Sequence, residues 1–491
     1  DDYLAPYLVA DLKSGRLTDE EAYRYIHSLW TMIENRRTTV NGRIIVGGKG
    51  RKHPKEADVF LHIAMKVAKN CRYVEPQFTL RFDKDTSEEI WDEALDALGA
   101  GATYPTLYND DVNVPAVMYG MRVDEKAAEQ YVPFGCTEFV IQGQSTGTPN
   151  ICINLLKLLT IYMNDGIDPI DGKRKSGPVP LKKLEEYQTF EEFYDGYKAL
   201  LDYYLDLSVK AQYHSYEVMN QHVSFLFTSL LTDDCIARGK ALLDGGVRYL
   251  GGTNETYGNI NTSDSLWVIR DLVFNQKKYT LRQLNDAMLA NFNGYEALRK
   301  DCLNCDKYGN DLETADTMAN DLYEFVAKGV RNRGIAIGMQ YFLIVISNNQ
   351  LNTEWGNRTA ASPDGRLSCM YMNPANNPQG GANKSGPTAM LNSLAKFDAK
   401  YHGGSVQNIK FSPSMFNENR AVIKSLFKTY FAKGGCHLMV TVVDKGVLED
   451  AVEHPENYPD LIVRVSGFSA VFVDLSPNIQ QELLSRVLYD E

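Results

Sequence analysis

Between Thr189 and Leu231, Tyr, Phe and Leu recur at three- and four-residue spacing, which predicts one long helix with a single core-facing stripe. Its start is marked by Thr189-Phe190-Glu191-Glu192, a hydroxyl followed three residues later by Glu. Thr18-Asp19-Glu20-Glu21 and Thr280-Leu281-Arg282-Gln283 fit the same capping box and predict two more helix starts. Ser476-Pro477 ahead of Asn478-Ile479-Gln480-Gln481 predicts a last helix with proline in its first turn. Short runs of β character lie between these stretches: Arg43–Val46, Phe78–Phe82, Ile409–Phe411 and Leu438–Val443. Several end in Gly, Asn, Ser or Pro, as strand-to-helix connections do. Strands alternating with helices predict an α/β architecture with a largely parallel sheet, open or closed. The Asn-, Gly- and Pro-rich segment from Asn373 to Pro387 reads as a long functional loop.

Composition narrows the partners. With 491 residues the chain has room for several domains, or for one large α/β barrel with additions. A net charge of −12 and the absence of a basic block argue against nucleic acid. No apolar run has the length of a membrane span, and no N-terminal signal pattern is visible. Eight cysteines without regular spacing do not form a secreted disulfide framework, so a reducing cytoplasm is the expected setting.

Two short motifs carry the candidate chemistry. Near the C-terminus, Arg464-Val465-Ser466-Gly467-Phe468-Ser469-Ala470 sets a glycine among apolar neighbours, without the Asn, Asp or Pro of an ordinary surface turn. A radical on a glycine α-carbon is stabilised by its flanking amide groups when the centre flattens, and no Cβ stands in the way. In mid-chain, Val132-Pro133-Phe134-Gly135-Cys136-Thr137-Glu138 places a cysteine at a loop tip with a carboxylate two residues on. A neutral thiol there could exchange a hydrogen atom while the carboxylate takes a proton. That task differs from the one performed by a thiolate nucleophile.

Together the two motifs resemble the Cys loop and Gly loop of the glycyl radical enzymes, the pyruvate formate-lyase-like superfamily. Asp11–Thr18, Gly245–Tyr249, Asp364-Gly365-Arg366, Ser385–Thr388 and Gly434–His437 are similar to the same family, so the resemblance runs along the whole chain. It implies a ten-stranded α/β barrel of two five-stranded parallel halves set antiparallel, with both loops inside. It implies a barrel region over residues 1–430, with the Cys loop at about 130–150, and a C-terminal radical domain over residues 431–491. It further implies that Gly467 stores the radical, that Cys136 is the thiyl and that Glu138 is the general base. The radical on Gly467 would be installed after translation by a radical S-adenosylmethionine iron–sulfur activating enzyme. No bound cofactor or metal is then expected, and a small-molecule substrate and a homodimer or higher homo-oligomer are.

Absent features narrow the subfamily. Formate-forming acyltransferases of the family carry adjacent cysteines, whereas Cys136 is flanked by Gly135 and Thr137. Anaerobic ribonucleotide reductases end in a zinc site of cysteine pairs, whereas the last cysteine here is Cys436. The Cys-x-Glu group remains: dehydratases, C–N and C–S lyases, and arylacetate decarboxylases. Diol dehydratases and choline lyases tend to carry Gly-Trp-His-Asp where this chain has Gly147-Thr148-Pro149-Asn150. Asn150, a candidate substrate-binding residue, cannot act as a carboxylate, which counts against glycerol, propanediol and choline. The expected activity is therefore radical elimination on another small hydroxylated molecule. Decarboxylation of an arylacetate-type acid, or an inactive scaffold of the same fold, are the alternatives.

Other candidates are weaker. Cys302-Leu303-Asn304-Cys305 has no second pair at zinc-site spacing. Cys436 and His437 are adjacent on a strand and face opposite ways. Gly245-Gly246 and Gly251-Gly252 lack the Lys-Ser/Thr of a phosphate loop. No histidine spacing suggests a metal. Family members extend further at the N-terminus, so a longer native protein, or a second polypeptide that completes the barrel, is expected.

Overall fold

The computed structural model describes residues 1–37, 42–147, 149–346 and 350–490, with the side chains of residues 149 and 150 outside the described set. The chain divides into two compact units. The first comprises Asp1–Met118, Val123–Thr137 and Val406–Glu491, and the second Tyr119–Arg122 and Glu138–Ser405.

The first unit is built on a five-stranded sheet. Its strands, in spatial order, are Arg43–Gly47, Gln77–Phe82, Thr106–Asn109, His437–Val442 and Asn408–Phe411. The first three run parallel and are joined by the helices Pro54–Asn70 and Glu88–Gly99, because parallel neighbours need a crossover. Helix Pro54–Asn70 buries Ala57, Leu61, Ala64 and Ala68 along one stripe, the i, i+3, i+4 pattern that seats a helix on a sheet. Ser87 caps the second crossover helix by accepting the Ile90 N–H. One row of the sheet, Val46, Leu80, Leu107 and Leu438, pairs across four strands and is wholly buried. The sheet reverses direction once, where Leu107 meets Leu438 in antiparallel register. His437–Val442 and Asn408–Phe411 are again parallel to each other.

The C-terminal part of this unit has a small core of its own. Helix Lys445–Glu453, the hairpin Ile462–Arg464/Ser469–Val471 and helix Pro477–Ser485 enclose Leu448, Ala451, Val463, Val465, Phe472, Ile479 and Leu483. The chain then returns to the sheet: Tyr489 N–H donates to Lys410 O at 3.0 Å, and Ser412 N–H to Tyr489 O at 2.9 Å.

The second unit carries parallel strands Pro149–Asn154, Tyr249–Tyr257, Tyr341–Ile346 and His402–Ser405. Tyr341-Phe342-Leu343-Ile344-Val345-Ile346 is buried at every position, as a central strand covered on both faces must be. The long helix spans Phe190–His222 and buries Phe193, Tyr197, Leu200, Leu201 and Leu205, the predicted stripe. It stops well short of Leu231, because Ser224 and Phe225 sit at φ +58° and +44°, and consecutive left-handed residues cannot continue a right-handed helix. A short helix, Leu226–Leu230, follows.

Candidate functional site

The Cys136 loop grows out of strand Tyr131–Phe134 in the first unit. That strand is held from the central sheet. Arg81 pairs with Asp110 through two hydrogen bonds of 3.0 and 2.8 Å, donates to Tyr131 O at 3.0 Å and lies 4.1 Å from the centre of the Tyr131 ring. The Tyr131 hydroxyl donates to Asp110 Oδ1 at 2.8 Å and accepts from Asn113. Arg43 Nη2 donates to Gly135 O at 2.8 Å at the turn itself. The turn is strained: Gly135 sits at φ +51° and Thr137 at φ +87°. For a β-branched residue that conformation costs on the order of 1–3 kcal/mol and persists only where the surroundings enforce it. Cys136 and Thr137 are 2% and 1% exposed.

Gly467 occupies the tip of the C-terminal hairpin. Arg464 pairs with Ser469 across the strands, and Phe468 O accepts from the N–H groups of Val465 and Ser466, closing a tight turn. Arg486 donates to Val465 O at 2.7 Å while pairing with Glu482, which ties the final helix to the loop. Arg464 itself is buried, and among the described residues no carboxylate lies within hydrogen-bond reach of it. Its guanidinium donates to the Tyr104 hydroxyl at 3.2 Å, to Ser469 Oγ at 3.3 Å and to Met439 Sδ at 3.1 Å, and it sits over the Tyr104 ring. Nη2 is buried with no hydrogen-bond partner among the described residues. Burial holds the Arg464 pKa below its ordinary value.

These two loops meet. A Cβ placed on Gly467 would lie 2.5 Å from Cys136 Cα, 2.6 Å from Cys136 Sγ and 2.7 Å from Cys136 Cβ. A carbon–carbon bond is about 1.5 Å, so the Gly467 α-carbon and the Cys136 sulfur are no more than about 4 Å apart. The backbone of Gly467 lies outside the left-handed region, so glycine is required here for space and not for φ. No other group stands between carbon and sulfur at this separation.

Glu138 follows Thr137 in the chain and opens strand Glu138–Ile141 of the second unit, with 3% of its surface exposed. The Asn150 side chain lies outside the described residues. Cys302 is fully buried and Cys305 half-buried; burial raises their thiols to about 12 and about 11, which leaves both as inert thiols at neutral pH. Cys436 is also buried and shifted up to about 12. His62, Glu89 and Glu93 come within 4.8 Å of one another from two helices, a grouping no single-segment spacing shows. Sequence reasoning gave no role to Arg43, Arg81 or Tyr104, which meet the loops only through the fold.

Comparison with known proteins agrees with this geometry. Residues 1–351 match the family described as pyruvate formate lyase-like, and residues 372–473 match the one described as glycine radical. The chain is 28% identical to trans-4-hydroxy-L-proline dehydratase of Clostridioides difficile, covering 99% of this chain and 63% of that protein. It is 27% identical to (2S)-3-sulfopropanediol dehydratase of Klebsiella oxytoca, covering 99% of this chain and 61% of the relative. Among solved structures, one concerned with 1,2-propanediol dehydration in Roseburia inulinivorans superposes with a TM-score of 0.92 at 29% identity, covering 99% of this chain and 64% of that one. The chain thus spans a little under two thirds of the length of the relatives it matches.

Proposed function

Because the chain belongs to the pyruvate formate lyase-like family and carries a glycine radical domain, we propose that it is the catalytic part of a glycyl radical dehydratase or lyase. The observation that carries this reading is the contact of the Gly467 α-carbon with Cys136 Sγ. Gly467 stores the radical. Cys136 passes a hydrogen atom to Gly467, and the resulting thiyl takes one from the substrate carbon that bears a hydroxyl. Glu138 removes the proton of that hydroxyl, and the ketyl-like radical expels the neighbouring leaving group. An acid protonates that group as it departs, so that the proton taken up by Glu138 and the one given to the leaving group cancel over the cycle. Cys136 then returns its hydrogen to the product radical, and the thiyl so formed takes back the hydrogen held by Gly467, which restores the stored radical. No electron is gained or lost over the cycle. The fixed loops supply proximity, and their burial keeps water from the radical.

Gly467 is buried, so an activating partner cannot reach its α-carbon in this arrangement. The separate core beneath the hairpin supports a segment that leaves the sheet as a body, meets a radical S-adenosylmethionine activase, and returns. The dehydratase relatives favour elimination on a small hydroxylated substrate, and the single cysteine at the loop tip argues against formate-forming acyl transfer.

Anaerobic incubation with a cognate activase, S-adenosylmethionine and a reductant tests the reading. We expect an electron spin resonance doublet that is lost in Gly467→Ala and kept in Cys136→Ser, with turnover lost in both. Trans-4-hydroxy-L-proline, (2S)-3-sulfopropanediol, 1,2-propanediol and an arylacetate form the substrate panel. Carbon dioxide release would replace elimination by decarboxylation, and the absence of any doublet would leave an inactive scaffold.

A further inference from the structure

The second unit contains a cavity of about 500 Å³ that includes neither the Cys loop nor the Gly loop. Its walls come from helix Glu296–Asn304, the turn Asp364-Gly365-Arg366, and the loop around Gly380 and Gly381. Most charged groups lining it are committed. Lys307 Nζ donates to Cys302 O at 2.6 Å and to Cys305 O at 3.3 Å, capping the end of the helix. Asp364 accepts from Asn261 and Ser362, each at 2.6 Å. Arg366 spends its guanidinium on backbone carbonyls, including those of Ala360 and Gly356.

Asp264 is different. It lines the cavity at 1% exposure, and its Oδ1 accepts the Tyr308 N–H at 2.9 Å. Its Oδ2 is buried and has no hydrogen-bond partner among the described residues. Leaving a buried carboxylate oxygen unpaired costs free energy, which a donor entering from the cavity recovers once a small shift of the wall lets it reach Oδ2. Burial raises the acid to about 7 against the opposing charge of Lys307, as expected for a carboxylate short of a cation. The same cavity is lined by two basic side chains that form no ion pair among the described residues. Arg299 uses only its Nε, on Gly365 O at 2.9 Å, and Lys384 is exposed.

We infer that this cavity is a second small-molecule site that binds a zwitterion, with its ammonium on Asp264 Oδ2 and its carboxylate at Arg299 and Lys384. A hydroxyl could fill the first position but would gain nothing from the second. A simple amine or a simple carboxylate would satisfy only one end. The volume falls in the range of ordinary ligand pockets. The inference is independent of the radical chemistry.

Unactivated protein suffices for the test, read by calorimetry and by the shift of thermal unfolding. Glycine, L-alanine, L-serine and L-threonine are the zwitterionic probes, with ethylamine and propionate as single-charge controls. At least one zwitterion should bind, and each control about tenfold or more weaker. Asp264→Asn and Lys384→Ala should each weaken that zwitterion by about tenfold or more. Lys384 is exposed, so its variant keeps the test valid should Asp264→Asn misfold. Cys136→Ser should leave binding unchanged. The inference falls if no zwitterion binds, meaning that the cavity holds only water. It also falls if ethylamine or propionate binds as well as the zwitterion, if Lys384→Ala leaves affinity intact, or if Cys136→Ser abolishes it.

Discussion

At Gly467 the decisive quantity is room. A methyl group there would sit 2.5 Å from a backbone atom of Cys136, which a side-chain rotation cannot relieve. Gly467→Ala should therefore cost about 1–3 kcal/mol of stability by overpacking even in protein never activated. Chemical denaturation of the unactivated variant measures this; an unchanged midpoint would show that the two loops are not in contact in solution. Cys136, Glu138 and Gly467 were legible in the sequence as candidates because their residue types and neighbours form motifs. The strain at Thr137 was not legible, since nothing about a threonine after a cysteine announces φ +87°. Only the hold exerted on the turn by Arg43 and on the preceding strand by Arg81 explains how it is kept.

At the scale of elements, the hairpin Ile462–Arg464/Ser469–Val471 is fastened by a buried cation with no counter-ion in contact. In the proposed departure of the hairpin, Arg464 would regain hydration, which lowers the cost of leaving. Without Arg464, Tyr104 still donates to Val74 O and Ser469 Oγ still donates to Thr103 Oγ1, so neither group is orphaned. Arg464→Met should accordingly change stability by less than about 1 kcal/mol while slowing activation. The rate of doublet growth with activase checks this, and an unchanged or faster rate would count against it. Capping boxes form at the helix starts Thr18 and Thr280, since each depends on four consecutive residues. At Thr189 the hydroxyl accepts the Glu192 N–H as expected, but the Glu192 carboxylate accepts from Gln188 N–H, so the helix is capped without the reciprocal arm of a box. The end of the long helix was not readable in the same way. The break at Ser224 and Phe225 is a backbone conformation, not a Gly or Pro signal. The pairing of residue 107 with residue 438 likewise depends on chain far from either position.

For the molecule as a whole, buried titratable groups set a pH window. His402 is 1% exposed and neutral, with Nδ1 accepting the Gly404 N–H at 3.0 Å. Burial lowers its pKa from 6.5 to about 4, so the unfolded chain takes up a proton between those values and the folded chain does not. Its contribution is present above pH 6.5 and is lost as pH falls toward 4, in total about 3 kcal/mol. Denaturant titrations at pH 7 and pH 5 should show this slope, and His402→Asn should flatten it; an identical slope in the variant would assign the loss to other groups. A different consequence follows from the packing at Gly467. The close fit that leaves no room for a methyl group leaves none for dioxygen on the face of Gly467 turned to Cys136. With the proposed radical on Gly467, backbone cleavage there in air would be a clock for departures of the hairpin, counting each excursion by the chains it leaves shortened.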